Sequence, residues 1–219
     1  MIWDWDYALD VLPDLLEHFF RFTLVLTVLG TIVAAALGLV FAVIRWIKVP
    51  VLSQALWMVI EFVRSTPLLI QLFFLFYALP NFGITFSPMV TCVIGFGVHY
   101  ACYYADVYRA GIMAVPVGQW EASTAIHLSA TRTWQRVIMP QAIRNVLPSL
   151  GNYAIAMFKE TPYAALITLP ELVHTAREVA TESSRYLEPI TLAGLIFLAA
   201  SYPTALLLRR LERHLEMAP

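Results

Sequence analysis

The chain has 219 residues, of which 60% are hydrophobic and 13% are charged, and its formal net charge is −1 at pH 7. The mean hydropathy is +0.71, and the charged fraction is far below the quarter that is typical of soluble domains. These values indicate a membrane protein, and the near-neutral net charge argues against a nucleic-acid-binding protein.

Long uncharged runs predict the membrane helices. Residues 22–44 and 189–208 are uncharged runs of 23 and 20 residues, which is about the length needed to cross a bilayer. The uncharged stretch from 65 to 105 is broken by the turn-like PNFGITFSP at 80–88, so the helices on either side must extend into charged sequence. A fifth apolar region, 145–170, is interrupted by KETP. We therefore predict one all-α transmembrane domain over residues 1–219, with five helices at about 20–45, 53–79, 88–111, 142–165 and 188–208.

The distribution of charge predicts the orientation. The first 20 residues contain five acids and no Lys or Arg, whereas cations follow the first helix, occupy the loop at about 112–141 and end the chain. The positive-inside rule then places the N-terminus outside and the C-terminus inside. Residues 171–188 contain Arg177 and Arg185 against four glutamates, and we place them outside because the other loops agree. The loop at 112–141 is accordingly predicted to be cytoplasmic.

The cytoplasmic loop contains a spaced motif. Glu121-Ala122-Ser123 is followed by three residues, His127, nine residues and then VIMP at 137–140. This pattern resembles the loop motif of binding-protein-dependent ABC importer permeases. RSTPLLIQLFFLFYALP at 64–80, DVYRAGIMAVPVGQWEA at 106–122, PQAIRNVLPSLGN at 140–152 and FKETP at 158–162 are similar to the polar amino acid branch. The resemblance covers most of residues 53–210 and implies the type I ABC importer permease fold.

Small residues in this loop favour close contact with another protein. Ala122, Ala125 and Ser129 recur at i, i+3 and i+7, so a helix from about 118 to 128 would have one smooth face. The alternative is a solvated helix without a partner. The resemblance implies that this coupling helix sits in a cleft of an ATPase subunit. The predicted coupling residues are Gly118, Gln119, Glu121, Ala122, Ser123, Ala125, His127 and Pro140.

His127 stands where the family has Gly. Glycine there fits a left-handed helix end, and His enters that backbone region more readily than most residues do, so we expect the turn to be retained. The alternative of metal binding lacks support, because no Cys, Asp or second His lies at ligand spacing. No metal site is predicted anywhere in the chain.

Ionisable residues near the predicted helix ends are candidates for a substrate path, because charges in a membrane usually face a cavity or a partner. They are Glu61, Arg64, Lys159 and Glu160, to which we add the neighbouring hydroxyl of Thr66. Glu61 and Arg64 share a helix face, and the other two charges lie at the KETP break in the apolar region 145–170. Structural ion pairs are an equally open interpretation. We interpret Asp106 with Arg109 as structural or interfacial.

Transport energy must come from another subunit. The only lysines, Lys48 and Lys159, cannot complete a P-loop, so the chain is predicted not to be an enzyme and not to bind a cofactor. The resemblance implies an ABC ATPase dimer that holds ATP and Mg, a second permease subunit that is identical or homologous, an extracytoplasmic solute-binding protein, and a bacterial inner-membrane location.

The substrate class stays open between two groups of compounds. WDWDYA at the start, FKETP and RYLEPITL at 185–192 are similar to ectoine and hydroxyectoine permeases, which carry zwitterionic compatible solutes, but polar amino acids such as glutamine fit equally. A standalone secondary transporter or channel is the alternative function. An intramembrane enzyme is disfavoured because no hydrolase or metalloprotease motif is present.

Overall fold

The protein is all-α, as predicted. The computed structural model describes residues 3–216, and within that range the regular structure is entirely helical, with no strand. The α-helices are α1 (Trp5–His18), α2 (Val25–Ile47), α3 (Pro50–Ser65), α4 (Leu68–Phe73), α5 (Pro88–Met113), α6 (Val117–Ala125), α7 (Ala130–Thr133), α8 (Met139–Glu160), α9 (Leu172–Glu182) and α10 (Leu187–Glu216).

The first helix begins well before the predicted residue 20. The Asp4 side chain caps α1 by accepting hydrogen bonds from the backbone N–H groups of residues 6 and 7. A π-helical turn, Phe19–Leu24, joins α1 to α2, so the helix is continuous over Trp5–Ile47. The prediction rested on the uncharged run 22–44 and so did not include the N-terminal part, where Ala8, Val11 and Leu15 form a buried helical stripe.

Small residues let α2 approach α5 closely. Gly30, Ala34, Gly38 and Ala42 are buried at every fourth position, which is a common way to pack membrane helices. A Cβ atom at Gly38 would lie 2.6 Å from the Cβ atom of Tyr104, so no larger residue fits there without a shift. The main core then combines α2, α4, α5 and α8 through large buried side chains: Leu72, Phe96, Tyr100, Tyr104 and Met157.

The predicted second span, 53–79, is not one straight helix. The chain bends by 104° between Pro50–Ser65 and Leu68–Phe82. Pro67 has no N–H to donate, and the residue before a proline is driven out of the helical region. Thr66 accordingly has an extended backbone, with φ −110° and ψ 139°. The resulting turn exposes backbone groups that a continuous helix would have paired.

The other predicted breaks are present as breaks in the helices. Residues 79–82 form a short 3₁₀ turn that ends at Gly83, and α5 starts at Pro88. The α8 helix ends at Glu160, inside KETP, and continues as the 3₁₀ segment Thr161–Ile167.

Length and apolar composition identify two helices among the described residues that could cross a membrane. These are Trp5–Ile47 and Leu187–Leu215, and the bent pair Pro50–Ser65 and Leu68–Phe82 becomes a third if it is one span. The α5 and α8 helices have 26 and 22 residues, or about 39 and 33 Å at 1.5 Å per residue. Five crossings with the N-terminus outside stay a prediction.

A polar cluster joins the chain's beginning to the start of α10. Arg185 contacts Asp4 at 3.3 Å and Glu188 at 2.6 Å, and its guanidinium lies 5.2 Å from the ring of Tyr7. The backbone N–H of Asp4 also donates to Glu188. These contacts hold α1 against the segment that we predict to be outside.

The carboxylate that caps α9 is fully buried. Glu171 accepts hydrogen bonds from the backbone N–H groups of Val173 and His174 at 3.0 and 2.7 Å. It lies between the predicted fourth and fifth spans. Burial raises the pKa of its carboxyl from an ordinary 4.5 to about 7, against the opposing effect of the two N–H groups.

A raised folded-state pKa makes Glu171 contribute stability that is present at acidic pH and is lost as the pH rises through about 7. Glu171→Gln retains an acceptor oxygen but does not titrate. Between pH 5 and 8 the variant should therefore gain stability relative to the natural chain, by at most on the order of 3 kcal/mol. Thermal unfolding across this pH range measures the difference. Glu182→Gln, at an exposed position on the same helix, is the control, and a pH-independent difference for Glu171→Gln contradicts the assignment.

Candidate functional site

The α6 helix presents small and polar side chains to the surroundings. It covers Val117–Ala125, close to the predicted 118–128. Gln119, Glu121, Ala122 and Ala125 are exposed, as is Gly118, whereas Ser123 is buried and its hydroxyl donates to the carbonyl oxygen of Gln119 at 2.7 Å. On α6 itself, four of the predicted coupling side chains are therefore available to a partner, and the Ser123 hydroxyl is instead bonded within the helix.

The end of α6 confirms the expectation for His127. Its φ is 55°, in the left-handed region, where the N–H groups of His127 and Leu128 donate to the carbonyls of Thr124 and Ser123, each at 3.0 Å. This is the paired hydrogen-bond pattern of a Schellman end. The predicted small face was wrong in one respect, because the helix stops at Ala125 and Ser129 lies beyond the turn, directly before α7.

Three indole rings connect α6 to the rest of the chain. Trp120 on α6 contacts Trp134 with ring centroids 5.3 Å apart, and Trp134 contacts Trp46 near the end of α2 at 5.7 Å. Both contacts have the edge-to-face geometry that aromatic pairs favour. Pro140, the last predicted coupling residue, is the second residue of α8 and lies just after the π-helical turn Trp134–Ile138, where the chain stays helical although Pro140 has no N–H to donate.

A second candidate site is a polar groove of about 530 Å³ between the bend and the end of α8. It brings together three of the five predicted path residues, Arg64, Thr66 and Glu160. The other residues of this polar groove are Ser65, Pro67, Leu68, Leu69, His99, Tyr103 and Tyr163. Glu61 and Lys159 do not line it.

Arg64 is held by a partner distant in sequence. Its Nη1 donates to Asp106 at 2.6 Å, and Arg45 donates to the other oxygen of the same carboxylate at 2.8 Å. The predicted pair with Glu61 is absent from the ion pairs of residues 3–216. A neighbour three residues away on an exposed face competes poorly with a carboxylate on a packed helix. Asp106 does form a structural ion pair, but with these arginines rather than with Arg109.

Aromatic side chains complete the groove around Glu160. Tyr103 lies under the guanidinium of Arg64 at 5.2 Å, a cation–π geometry, and Tyr100 donates its hydroxyl hydrogen to Glu160 at 2.8 Å. His99 and Tyr103 are four residues apart, hence on one face of α5. That spacing is the sequence signal that could have identified their role. It does not distinguish them, because the same helix contains several other aromatic residues.

Gln71 stabilises the wall of the groove at the bend. Its side-chain nitrogen donates to the carbonyl oxygen of Val63 and to the hydroxyl of Thr66, both at 2.7 Å, and lies 3.1 Å from the carbonyl oxygen of Thr66. Its Oε1 lies 3.2 Å from Nδ1 of His99. One side chain thus satisfies the carbonyls that the proline break leaves unpaired.

Comparisons with known proteins agree with this architecture. A family profile described as binding-protein-dependent transport system inner membrane component matches residues 34–217. The chain therefore belongs to the family of transmembrane permease subunits of binding-protein-dependent transport systems, and it is an integral membrane protein.

Two relatives and one solved structure illustrate the match. A probable amino-acid ABC transporter permease protein of Sinorhizobium fredii is 38% identical over 209 residues, which are 95% of this chain and 90% of that protein. A probable glutamine ABC transporter permease protein of Bacillus subtilis is 35% identical, with 88% and 90% covered. The crystal structure of an amino acid ABC transporter with histidines has a TM-score of 0.91 at 30% identity, with 98% of this chain and 100% of that chain covered. These matches confirm the type I ABC importer permease fold.

Replacing Asp106 by Asn should destabilise the protein. The change removes the charge that Arg45 and Arg64 share, and the Arg45 side chain is only 15% exposed. The loss should be about 1–3 kcal/mol, because a mostly buried cation is left without a charged partner. Thermal unfolding of the purified chain measures it. Glu61→Gln, which changes an exposed acid on α3, should leave stability unchanged, and equal effects of the two changes would count against the assignment.

Proposed function

We propose that the chain is the transmembrane permease subunit of an ATP-driven importer for polar amino acids or related zwitterions such as ectoine or hydroxyectoine. The observation that carries the proposal is the polar groove, where a guanidinium and a carboxylate, Arg64 and Glu160, line one opening formed at two breaks in the helices. A substrate with one carboxylate and one cationic group matches these two charges. The amino-acid transporter names of the relatives agree with this substrate class.

Energy enters through α6 in this proposal. ATP and Mg are held by an ATPase dimer on the inner side, and the exposed face of Ala122 and Ala125 fits a cleft in that partner. Next to this face, α6 and the following turn border a hollow of about 680 Å³ that includes Glu121 and Leu128. Small side chains permit the close approach, and Glu121 and Gln119 supply polar contacts at its edge.

The remaining partners are those that membership of the permease family implies. One side of the polar groove is open, so a second permease subunit, identical or homologous, would close the path. An extracytoplasmic solute-binding protein delivers substrate from the outside, and the complex lies in a bacterial inner membrane.

A bulky residue on α6 should uncouple the ATPase. Ala122→Trp places an indole on the exposed small face, and such overpacking should reduce ATP-driven uptake about tenfold or more while leaving membrane insertion intact. Ala36→Trp, at an exposed position on α2, is the matched control. Uptake and ATPase co-purification in reconstituted vesicles measure the effect.

Two results would contradict this docking. One is normal uptake together with normal ATPase recovery in Ala122→Trp. The other is uptake by the chain alone without ATP, which would instead favour a standalone secondary transporter or channel.

Changes in the polar groove should impair uptake without disassembling the complex. Arg64→Lys retains a cation beside Asp106 but loses the planar fork that can hold a carboxylate, so uptake should fall about tenfold. Arg45→Lys is a closely matched control, because Arg45 binds the same carboxylate and does not line the groove. If Arg64→Lys and Arg45→Lys take up substrate equally well, the role of Arg64 is structural only.

The opposite charge provides a second test. Glu160→Gln removes the carboxylate and should reduce uptake of a cationic or zwitterionic substrate, whereas Lys159→Gln, outside the groove, should not. Uptake of labelled glutamine in the presence of arginine, ectoine or hydroxyectoine identifies the substrate by competition. Unchanged uptake in Glu160→Gln contradicts its place in the path.

A further inference from the structure

A basic pocket lies between the end of α2, the start of α3 and α5. It has a volume of about 370 Å³ and is lined by Arg45, Lys48, Ser53, Gln54, Trp57 and Arg109. Three of these six residues are cations and none is an acid. The pocket is separate from the polar groove, with which it shares no lining residue.

The positive charge of this basic pocket is incompletely compensated. Arg45 binds Asp106 at 2.8 Å, but that carboxylate also binds Arg64. Within residues 3–216, neither Lys48 nor Arg109 has an ion pair or a side-chain hydrogen bond to another residue. Cations held near one another repel unless an anion lies between them. The pocket is therefore built to receive negative charge.

Neutral donors add to the cations. The α3 helix starts at Pro50, and its preceding residue, Val49, has no side chain that can cap it. The first backbone N–H groups of α3 therefore keep the partial positive charge of a helix N-terminus. The hydroxyl of Ser53 and the amide of Gln54 lie in the same wall and can donate to anionic oxygens.

The rim of the basic pocket is strongly apolar. Trp57 is 43% exposed, and Leu52 and Val51, five and six residues earlier on α3, are 50% and 82% exposed. Trp46 and Ile47, at the end of α2, are 37% and 64% exposed. Exposed tryptophans next to cations are typical of the boundary between hydrocarbon and headgroups. This apolar rim favours a ligand that has acyl chains over a free inorganic anion.

We propose that the basic pocket binds the phosphate headgroup of an anionic glycerophospholipid. Lys48 and Arg109 contact the phosphate, Ser53 and Gln54 donate to its oxygens, and the acyl chains lie along Trp57 and Val51. Basic pockets between membrane helices on the cytoplasmic side bind such headgroups in other proteins. The site stands independently of the transported substrate.

The test uses the full-length chain purified in detergent and measures lipid binding by native mass spectrometry together with the shift in thermal unfolding temperature. Phosphatidylglycerol is compared with phosphatidylcholine of the same acyl chains and with inorganic phosphate. The double variant Lys48→Asn, Arg109→Gln removes both uncompensated cations. Asn is used at position 48 because Lys48 has a φ of 56°, a backbone region that Asn tolerates.

Binding of phosphatidylglycerol should weaken about fivefold for each cation removed, and about twenty-five-fold in the double variant. Arg209→Gln with Arg210→Gln, which removes two exposed cations from α10, is the matched control and should bind as the natural chain does. Lys48→Arg with Arg109→Lys keeps both charges and should retain binding. A variant that unfolds at the same temperature as the natural chain in the absence of lipid is folded. If the first double variant is not folded, a second double variant, Lys48→Gln with Arg109→Met, replaces it.

Three outcomes overturn the proposal. If the double variant binds phosphatidylglycerol as tightly as the natural chain does, Lys48 and Arg109 do not contribute to the site. If the control variant at Arg209 and Arg210 loses as much phosphatidylglycerol binding as the double variant does, binding depends only on the overall charge of the protein. A shift with inorganic phosphate as large as with phosphatidylglycerol assigns the pocket to a free anion instead of a lipid.

Discussion

One carboxylate organises the centre of this protein. Asp106 on α5 lies between Arg45 at the end of α2 and Arg64 at the end of α3, so a single side chain ties together three helices. A charge in a membrane protein is retained where it is paired or faces water, and here one anion contacts two guanidinium groups. The end of α3 is the segment that precedes the bend, so the position of the groove wall depends on this carboxylate.

The bend and the end of α8 show how irregular backbone is tolerated in this setting. Backbone groups that leave a helix at membrane depth need partners or a water-filled cavity. Gln71 supplies partners at the bend, and on the opposite wall Thr161 donates to the carbonyl of Phe158 at 2.8 Å. Local hydrogen bonds thus stabilise the two breaks. The side chains around the breaks line the polar groove, whose walls carry charges of opposite sign.

Local chemistry was sufficient to predict much of this architecture. Hydropathy located the long apolar helices but not α1 or α9, and the left-handed turn at His127 followed from the glycine that the resembling family has there. The missing N–H of Pro67 accounts for a break at this position but not for an angle of 104°, which depends on packing against α5. The partner of Arg64 could not be predicted, because Asp106 is 42 positions away and only the fold brings it near. The same holds for His99 and Tyr103, whose spacing is shared by many core residues.

The indole contacts at α6 also give the molecule an optical property. Half of its six tryptophans, Trp46, Trp120 and Trp134, lie in one edge-to-face series that runs from α2 to the loop. Indole emission is sensitive to the polarity and proximity of neighbouring rings, so any displacement of α6 from the membrane helices separates emitters that are now in contact. The unlabelled chain therefore carries its own fluorescent reporter of α6 movement.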